Sequence, residues 1–125
     1  MAKVIETEHA PAPIGPYSQA VQSGNTLYVS GQIAINPETG ELERESLEEE
    51  THRVMKNMKA VLQKADFTLD NVVKCSIFIT DMANFGVINE VYGIYFMGAF
   101  PARETVEVAG LPKGVRVEIS CIAVK

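Results

Sequence analysis

Two alternating runs near the end of the chain carry an arginine and a glutamate that could do chemistry. Runs 101–108 and 115–121 alternate apolar and polar residues, which is typical of half-buried strands, and a glycine- and proline-containing loop separates them. We predict an antiparallel hairpin that places Arg103, Thr105 and Glu118 on one face. A guanidinium binds a carboxylate through two parallel hydrogen bonds, and a carboxylate can orient or deprotonate a water. The pair is therefore a candidate site for a small carboxylic acid.

The same pair also has a simpler interpretation, a cross-strand ion pair on the surface. Such pairs are common, and each stabilises a protein by only ~0–1 kcal/mol. The chain has no phosphate-binding glycine loop, no Ser-His-Asp arrangement and no zinc-protease helix. His9 and His52 are far apart in the sequence and lack ligand partners at metal spacing, so we expect no metal site. On the residues alone, the surface ion pair is the favoured interpretation.

Composition narrows the class of protein. The chain has 125 residues and a net charge of −5, so we predict one domain, 1–125, and regard nucleic acid or an anionic membrane as a poor partner. No window approaches ~18 uninterrupted apolar residues, and the first residues lack the apolar segment of a signal peptide. Cys75 and Cys121 lie in strand-like runs. They could form a disulfide, but buried free thiols in a cytoplasmic protein are the favoured interpretation.

The order of predicted elements indicates an α+β fold. Ser46 and Glu49 form a capping-box signature at the start of a strongly amphipathic stretch. We expect a mostly antiparallel sheet of about six strands with two helices on one face, and a homo-oligomer covering the other face. The predicted strands are 3–7, 17–22, 26–35, 71–80, 101–108 and 115–121, and the predicted helices run from about 46 to 65 and from about 83 to 96.

Alternation also predicts which strand residues share a face. Gly31 interrupts the third of these strands, 26–35, which indicates a bulge or a close backbone approach. In the run 26–35 we predict one shared face, and in the run 71–80 another, each made mostly of apolar side chains. The first face comprises Leu27, Val29, Gly31, Ile33 and Ile35, and the second comprises Val73, Cys75, Ile77 and Ile79.

Several short motifs occur in one order along nearly the whole chain. They are Gly15-Pro16-Tyr17-Ser18-Gln19-Ala20, Ser30-Gly31-Gln32, Asn89-x-x-Tyr92-x-x-x-Phe96, Pro101-Ala102-Arg103, Val106-Glu107-Val108 and Val117-Glu118-Ile119. Together they resemble the RidA (YjgF-type) family. The resemblance implies a chorismate-mutase-like fold and a homotrimer with active sites in clefts between subunits. It also implies a cofactor-free 2-iminobutanoate/2-iminopropanoate deaminase, which protects pyridoxal-phosphate enzymes by hydrolysing reactive enamines and imines to 2-oxo acids and ammonia.

The resemblance gives individual residues separate tasks. Arg103 would bind the substrate carboxylate with help from the backbone of Gly31, and Glu118 would activate or orient the attacking water. Thr105 stands where the family often has cysteine, and it could supply a backbone N–H and a hydroxyl instead. Because water can attack an imine carbon directly, we expect this departure to alter rate or preference. Further residues that match positions lining the family's cleft are Tyr17, Ser30 and Asn89.

Other functions remain open at this level. One is a non-catalytic trimeric module that binds or senses ligands, or acts as a chaperone. Another is an endoribonuclease, an activity also ascribed to family members, but the net charge of −5 without a basic groove argues against RNA binding. Chorismate mutase itself would rest on fold analogy alone.

Overall fold

The computed structural model describes residues 2–125, which form one six-stranded sheet and two α-helices. The sheet has the strand order β1-β2-β3-β6-β4-β5, and every neighbouring pair is antiparallel except β4 and β5. The α+β class and the mostly antiparallel sheet are confirmed. In chain order the elements are β1 (Lys3–Ile5), β2 (Ala20–Ser23), β3 (Thr26–Gln32), α1 (Leu47–Lys64), β4 (Val72–Ile79), α2 (Phe85–Ile94), β5 (Ala102–Glu107) and β6 (Val117–Val124).

Helix α1 forms as its sequence predicts. The Ser46 side chain accepts a hydrogen bond from the backbone N–H of Glu49 at 3.1 Å, which satisfies one of the free donors at the helix start. Its apolar stripe packs on the sheet together with α2, so the main core lies between the two helices and one sheet face. All residues of that stripe are buried: Leu47, Thr51, Val54, Met55, Met58, Val61, Leu62 and Ala65.

The predicted hairpin of the last two strands is wrong. Strand β4 lies between β5 and β6, so the two predicted hairpin partners do not touch as neighbouring strands. The order β4, α2, β5 is instead a strand-helix-strand crossover, which makes β4 and β5 parallel. Alternation identified both strands but carries no information about which neighbour each one pairs with.

A β-bulge in β3 changes which of its residues face the core. Val29 pairs with Cys121 and Gln32 pairs with Ile119, so two residues of β3 oppose one residue of β6 between those pairs. The bulge and close approach predicted at Gly31 are confirmed. The predicted shared face is wrong beyond Val29, because the extra residue turns Gln32 and Ala34 inward. Ile33 and Ile35 pack with Val115 in a separate small cluster.

Strand β4 has a smaller irregularity at its start. The register with β6 shifts between Val72 and Lys74, so Val72 is buried and Val73 is 47% exposed, contrary to prediction. Beyond the shift Cys75 is buried, as predicted, and it pairs directly with Cys121. Both cysteines are free thiols and both are buried. Burial raises the pKa of each thiol, which disfavours the reactive thiolate.

The second face of the sheet carries apolar residues that neither helix covers. Tyr28 and Val106 are exposed on it, and Phe78 and Ile122 are half-buried. We refer to it as the open face. Neither helix in the range 2–125 is both long and apolar enough to span a membrane.

Candidate functional site

Arg103 lies on edge strand β5 and points to the helix-covered side of the sheet. Its register partner Cys75 belongs to the buried face of β4, and paired residues share a face. The guanidinium Nη1 donates a hydrogen bond to Oδ1 of Asn89 on α2 at 2.7 Å. Its central carbon lies 5.2 Å from the Tyr92 ring centroid and 5.6 Å from the Phe85 ring centroid. The amide and the two rings of α2 therefore fix the orientation of the guanidinium.

The guanidinium opens onto a cleft of about 320 Å³, which we call the arginine cleft. In the range 2–125 no carboxylate forms an ion pair with Arg103. A half-buried cation without a carboxylate partner, held in place beside an apolar wall, is suited to an anionic ligand that carries an apolar group. The cleft is lined by Asn89, Tyr92, Gly93, Phe100, Pro101 and Arg103.

Thr105 follows Arg103 on the same face of β5. It pairs with Ile77, and its Oγ1 is buried without a hydrogen-bond partner in the described part of the chain. The hydroxyl of Tyr92 is also buried, and burial together with the neighbouring Cys75 thiol raises its pKa, so it remains protonated. Leaving a buried hydroxyl unpaired costs about 1–3 kcal/mol. The unpaired Thr105 hydroxyl therefore lowers stability locally on the arginine side of the sheet.

Glu118 lies on the other side of the sheet. Its register partner is Phe78 on the open face, and no ion pair or side-chain hydrogen bond reaches its carboxylate within residues 2–125. Burial raises the pKa of this carboxyl above the ordinary glutamate value. A half-desolvated carboxylate with no partner holds a proton more readily, which suits a general base. It opens onto a cleft of about 280 Å³, the glutamate cleft, lined by Ile14, Tyr17, Ser30, Gly31, Pro112 and Glu118.

Gly31 makes room for this carboxylate. A Cβ atom on residue 31 would lie 2.5 Å from Oε2 and 2.7 Å from Cδ of Glu118, closer than real atoms approach. The bulge brings the backbone of residue 31 to the open face, and the missing side chain leaves the space that Glu118 fills. The close approach to Glu118 is therefore the reason for a glycine at this position, because the φ angle of Gly31 lies outside the left-handed region that favours glycine.

Tyr17 and Ser30 line the glutamate cleft, and both already have backbone partners. The Ser30 hydroxyl donates to the carbonyl of Ser18 at 2.6 Å, and the Tyr17 hydroxyl accepts from the N–H of Ile14 at 3.3 Å. The prolines exclude a helix here, and the segment bends at residues 14–16, where the Tyr17 N–H donates to the Gly15 carbonyl at 2.9 Å.

Gln19 anchors that segment, and no role was predicted for it. Its side chain is buried, and its amide nitrogen donates to three carbonyls while its oxygen accepts from one N–H. In the sequence, only its place in the motif Gly15-Pro16-Tyr17-Ser18-Gln19-Ala20 pointed to a role for Gln19. The carbonyl partners are those of Thr7, Ala10 and Pro11, and the N–H is that of Thr7.

The predicted site residues therefore divide between the two sides of the sheet. The prediction that Arg103, Thr105 and Glu118 share one surface is wrong, because it depended on the hairpin that does not form. Strand β4 lies between β5 and β6. It pairs Arg103 of β5 with Cys75, on the helix-covered face, and Glu118 of β6 with Phe78, on the open face. The arginine side holds Arg103, Asn89 and Thr105, and the glutamate side holds Tyr17, Ser30, Gly31 and Glu118.

Known proteins resemble this chain over its whole length. The family model described as endoribonuclease L-PSP matches residues 7–125. The mouse 2-iminobutanoate/2-iminopropanoate deaminase is 48% identical over 123 residues, which cover 98% of this chain and 91% of the mouse protein. The crystal structure of a candidate endoribonuclease from Thermotoga maritima is 53% identical, with a TM-score of 0.97 over 100% of this chain and 98% of that one. That of RidA from an Antarctic Psychrobacter is 45% identical, with a TM-score of 0.95 over 98% and 99%.

Proposed function

Because this chain belongs to the RidA (YjgF) family, we propose that it is a deaminase of reactive imines and enamines. Its substrates would be 2-iminobutanoate and 2-iminopropanoate, and its products the corresponding 2-oxo acids and ammonia. The observation that carries the proposal is a pair of complementary clefts. One presents the oriented cation of Arg103 without a carboxylate partner, and the other presents the desolvated carboxylate of Glu118 without a donor.

We infer that a complete site forms between two copies of the chain. One sheet keeps the two clefts on opposite faces, so a single substrate molecule cannot reach both within one chain. Packing the open face of one copy against the β5 edge of the next would join an arginine cleft to a glutamate cleft, and a homotrimer would close the arrangement. Exposed apolar residues beside the arginine cleft support this packing. They are Ile94, Met97 and Phe100, which are 66%, 89% and 65% exposed.

In the joined site the two residues have separate tasks. Arg103 binds the substrate carboxylate through its free donors, and the Thr105 hydroxyl bonds the ligand beside it. As water adds to the imine carbon, Glu118 accepts one water proton and returns it to the imine nitrogen. The resulting amino alcohol passes its hydroxyl proton to nitrogen while the carbon–nitrogen bond breaks, giving a 2-oxo acid and ammonia. The imine carbon is already electrophilic, so these steps use neither a covalent nucleophile nor a cofactor.

RNA cleavage is the competing activity, because the family model and the Thermotoga maritima protein carry that name. The net charge of −5 disfavours a polyanionic substrate. Salt dependence separates the two activities. Phosphate-driven RNA binding weakens steeply as salt rises, whereas hydrolysis of a small imine does not.

The direct experiment generates 2-iminobutanoate with a threonine dehydratase and follows release of 2-oxobutanoate. We expect the protein to accelerate that release well above the rate of spontaneous hydrolysis. Binding of 2-oxobutanoate without acceleration would contradict the proposal and would favour a non-catalytic ligand-binding module. The Arg103→Ala protein is the matched control for any contaminating activity.

A further inference from the structure

Asn57 connects α1 to the segment that follows the β3 bulge. Its side chain is fully buried, although most of its neighbours on the inner face of α1 are apolar. Its amide nitrogen donates to the carbonyl of Ile33 at 3.0 Å and to that of Ile35 at 2.9 Å. Both amide protons are therefore used on one short stretch of backbone. Burying this amide is costly, so its retention inside the core calls for a reason beyond packing.

The stretch held by Asn57 lies beyond the end of the β3–β6 ladder. Pairing between β3 and β6 ends at Gln32. Beyond it the backbone is held by the Ile35–Leu42 bridge and by hydrogen bonds of 2.8 Å from the Asn36 N–H to the Glu41 carbonyl and from the Glu43 N–H to the Ala34 carbonyl. The bulge itself lies immediately before, where Ser30 and Gly31 both fall between the last two ladder pairs. The bonds beyond Gln32 hold the segment to its own loop, whereas the two bonds from Asn57 connect the far side of the bulge to α1. The β3–β6 ladder fixes the near side.

We propose that Asn57 is a positioning residue for Glu118, acting through the bulge at Gly31. Two contacts connect Asn57 to Glu118. Gly31 lies against the Glu118 carboxylate so closely that no Cβ fits between them, and the segment two to four residues later is the one that Asn57 holds on α1. A catalytic task for Glu118 rests on the proposed function, but the positional link does not.

Loss of the two bonds has a defined consequence for Glu118. The backbone of Gly31 forms one wall of the glutamate cleft, so its displacement admits water to the carboxylate. Because burial is what raises the pKa of Glu118, added water lowers that pKa toward its ordinary value. Apart from Glu118, Tyr17 is the titratable residue that lines this cleft. Arg103 keeps its own supports on α2, the Asn89 amide and the rings of Phe85 and Tyr92, so substrate binding by Arg103 changes much less.

The test compares Asn57→Leu with Thr51→Val. Thr51 is equally buried on the same helix, but its hydroxyl donates within α1, to the carbonyl of Leu47 at 2.8 Å. Both variants thus lose buried hydrogen bonds, and only the first loses bonds to the segment after the bulge. The pKa of Glu118 is measured by carboxyl ¹³C NMR titration, beside kcat, KM and Tm.

We expect Asn57→Leu to lower the Glu118 pKa and to reduce kcat by about tenfold or more, with KM within about twofold of the original protein. Thr51→Val should lower Tm and leave the pKa and kcat unchanged. If folded Asn57→Leu keeps both values, or if Thr51→Val shifts them equally, the proposal is overturned. Asn57→Ser, which keeps one donor on a shorter side chain, should give a smaller shift of the same sign, and it decides the question if the leucine variant does not fold.

The titration also separates this proposal from the proposed function. If the original protein shows no imine hydrolysis, the proposed function fails, while the Glu118 pKa in the two variants still measures the positional link. If hydrolysis is present and the pKa is unaffected by Asn57→Leu, only the positional link fails.

Discussion

Arg103 and Glu118 lie on opposite faces of one sheet. Arg103 pairs with Cys75 on the helix-covered face, and Glu118 pairs with Phe78 on the open face. Each therefore has its own cleft and its own supports, Asn89 for the arginine and the Gly31 bulge for the glutamate. A reaction that needs both residues needs two copies of the chain.

Replacing Arg103 tests the carboxylate-binding role. Arg103→Ala should raise KM strongly and lower kcat as well, because substrate loses both affinity and orientation. Arg103→Lys should restore activity only in part, since an ammonium cannot form two parallel bonds to a carboxylate. Steady-state imine hydrolysis measures both effects. Arg53→Ala is the control, because Arg53 lies on α1 outside the lining of either cleft and forms an ion pair with Glu43. Equal KM values for the two alanine variants would refute the role.

Replacing Glu118 tests the base. Glu118→Gln keeps the shape and removes the proton acceptor, so kcat should fall by about a hundredfold or more with a smaller change in KM. Glu118 must be ionised to act as a base, and burial raises its pKa. As the pH is lowered, kcat of the original protein should therefore begin to fall while the pH is still above the ordinary glutamate pKa of about 4.3. A profile that is flat down to that pH would argue against Glu118 as the base.

The same variant has a stability signature. Burial raises the pKa of Glu118, so the folded protein binds that proton more tightly than the unfolded chain, and ionisation destabilises the fold as pH rises above about 4.3. Glu118→Gln should therefore keep or increase Tm at pH 7. Glu43 is the opposite case, because its hydrogen bond from Arg53 lowers its pKa and stabilises the fold above that pH. Glu43→Gln should lower Tm at pH 7, and a Glu118→Gln protein that lost as much would contradict this sign.

Adding one methyl group to Gly31 should separate activity from folding. In Gly31→Ala the new Cβ overlaps the Glu118 carboxylate, which is the far end of a flexible side chain and can move away. We expect a folded protein with a large loss of kcat. In Gly86→Ala, on α2, the added Cβ meets nothing within 4 Å, and the change should stabilise the helix by about 0.5–1 kcal/mol. Unchanged kcat in Gly31→Ala would show that the close approach has no catalytic importance.

Much of this fold follows from local patterns, and two features do not. Helix α1 was predictable because the Ser46 cap and the apolar stripe are both local signals. The pairing of β5 was not, because alternation looks the same beside any neighbour, although the helix before β5 indicated a crossover. The bulge was signalled by Gly31, but its effect on the faces of later residues depends on the partner strand.

The candidate site follows the same division. The residue types at Arg103, Glu118 and Asn89 were identified from the sequence, and the structure places each beside a cleft. Their separation onto two faces could not be predicted without the strand order. Gln19 and Asn57 were missed because a buried amide that holds backbone carbonyls leaves no periodic pattern in the sequence.

Complementation between two inactive variants tests the shared site most directly. Arg103→Ala and Glu118→Gln chains, co-expressed with different tags and isolated by two successive affinity steps, should give mixed oligomers that regain activity. In a cyclic trimer each mixed assembly contains one interface that joins an intact Arg103 to an intact Glu118, so about a third of the original activity should return. Each variant alone should stay inactive. Mixed oligomers as inactive as the separate variants, while the original protein hydrolyses 2-iminobutanoate, would contradict a site built from two copies of the chain.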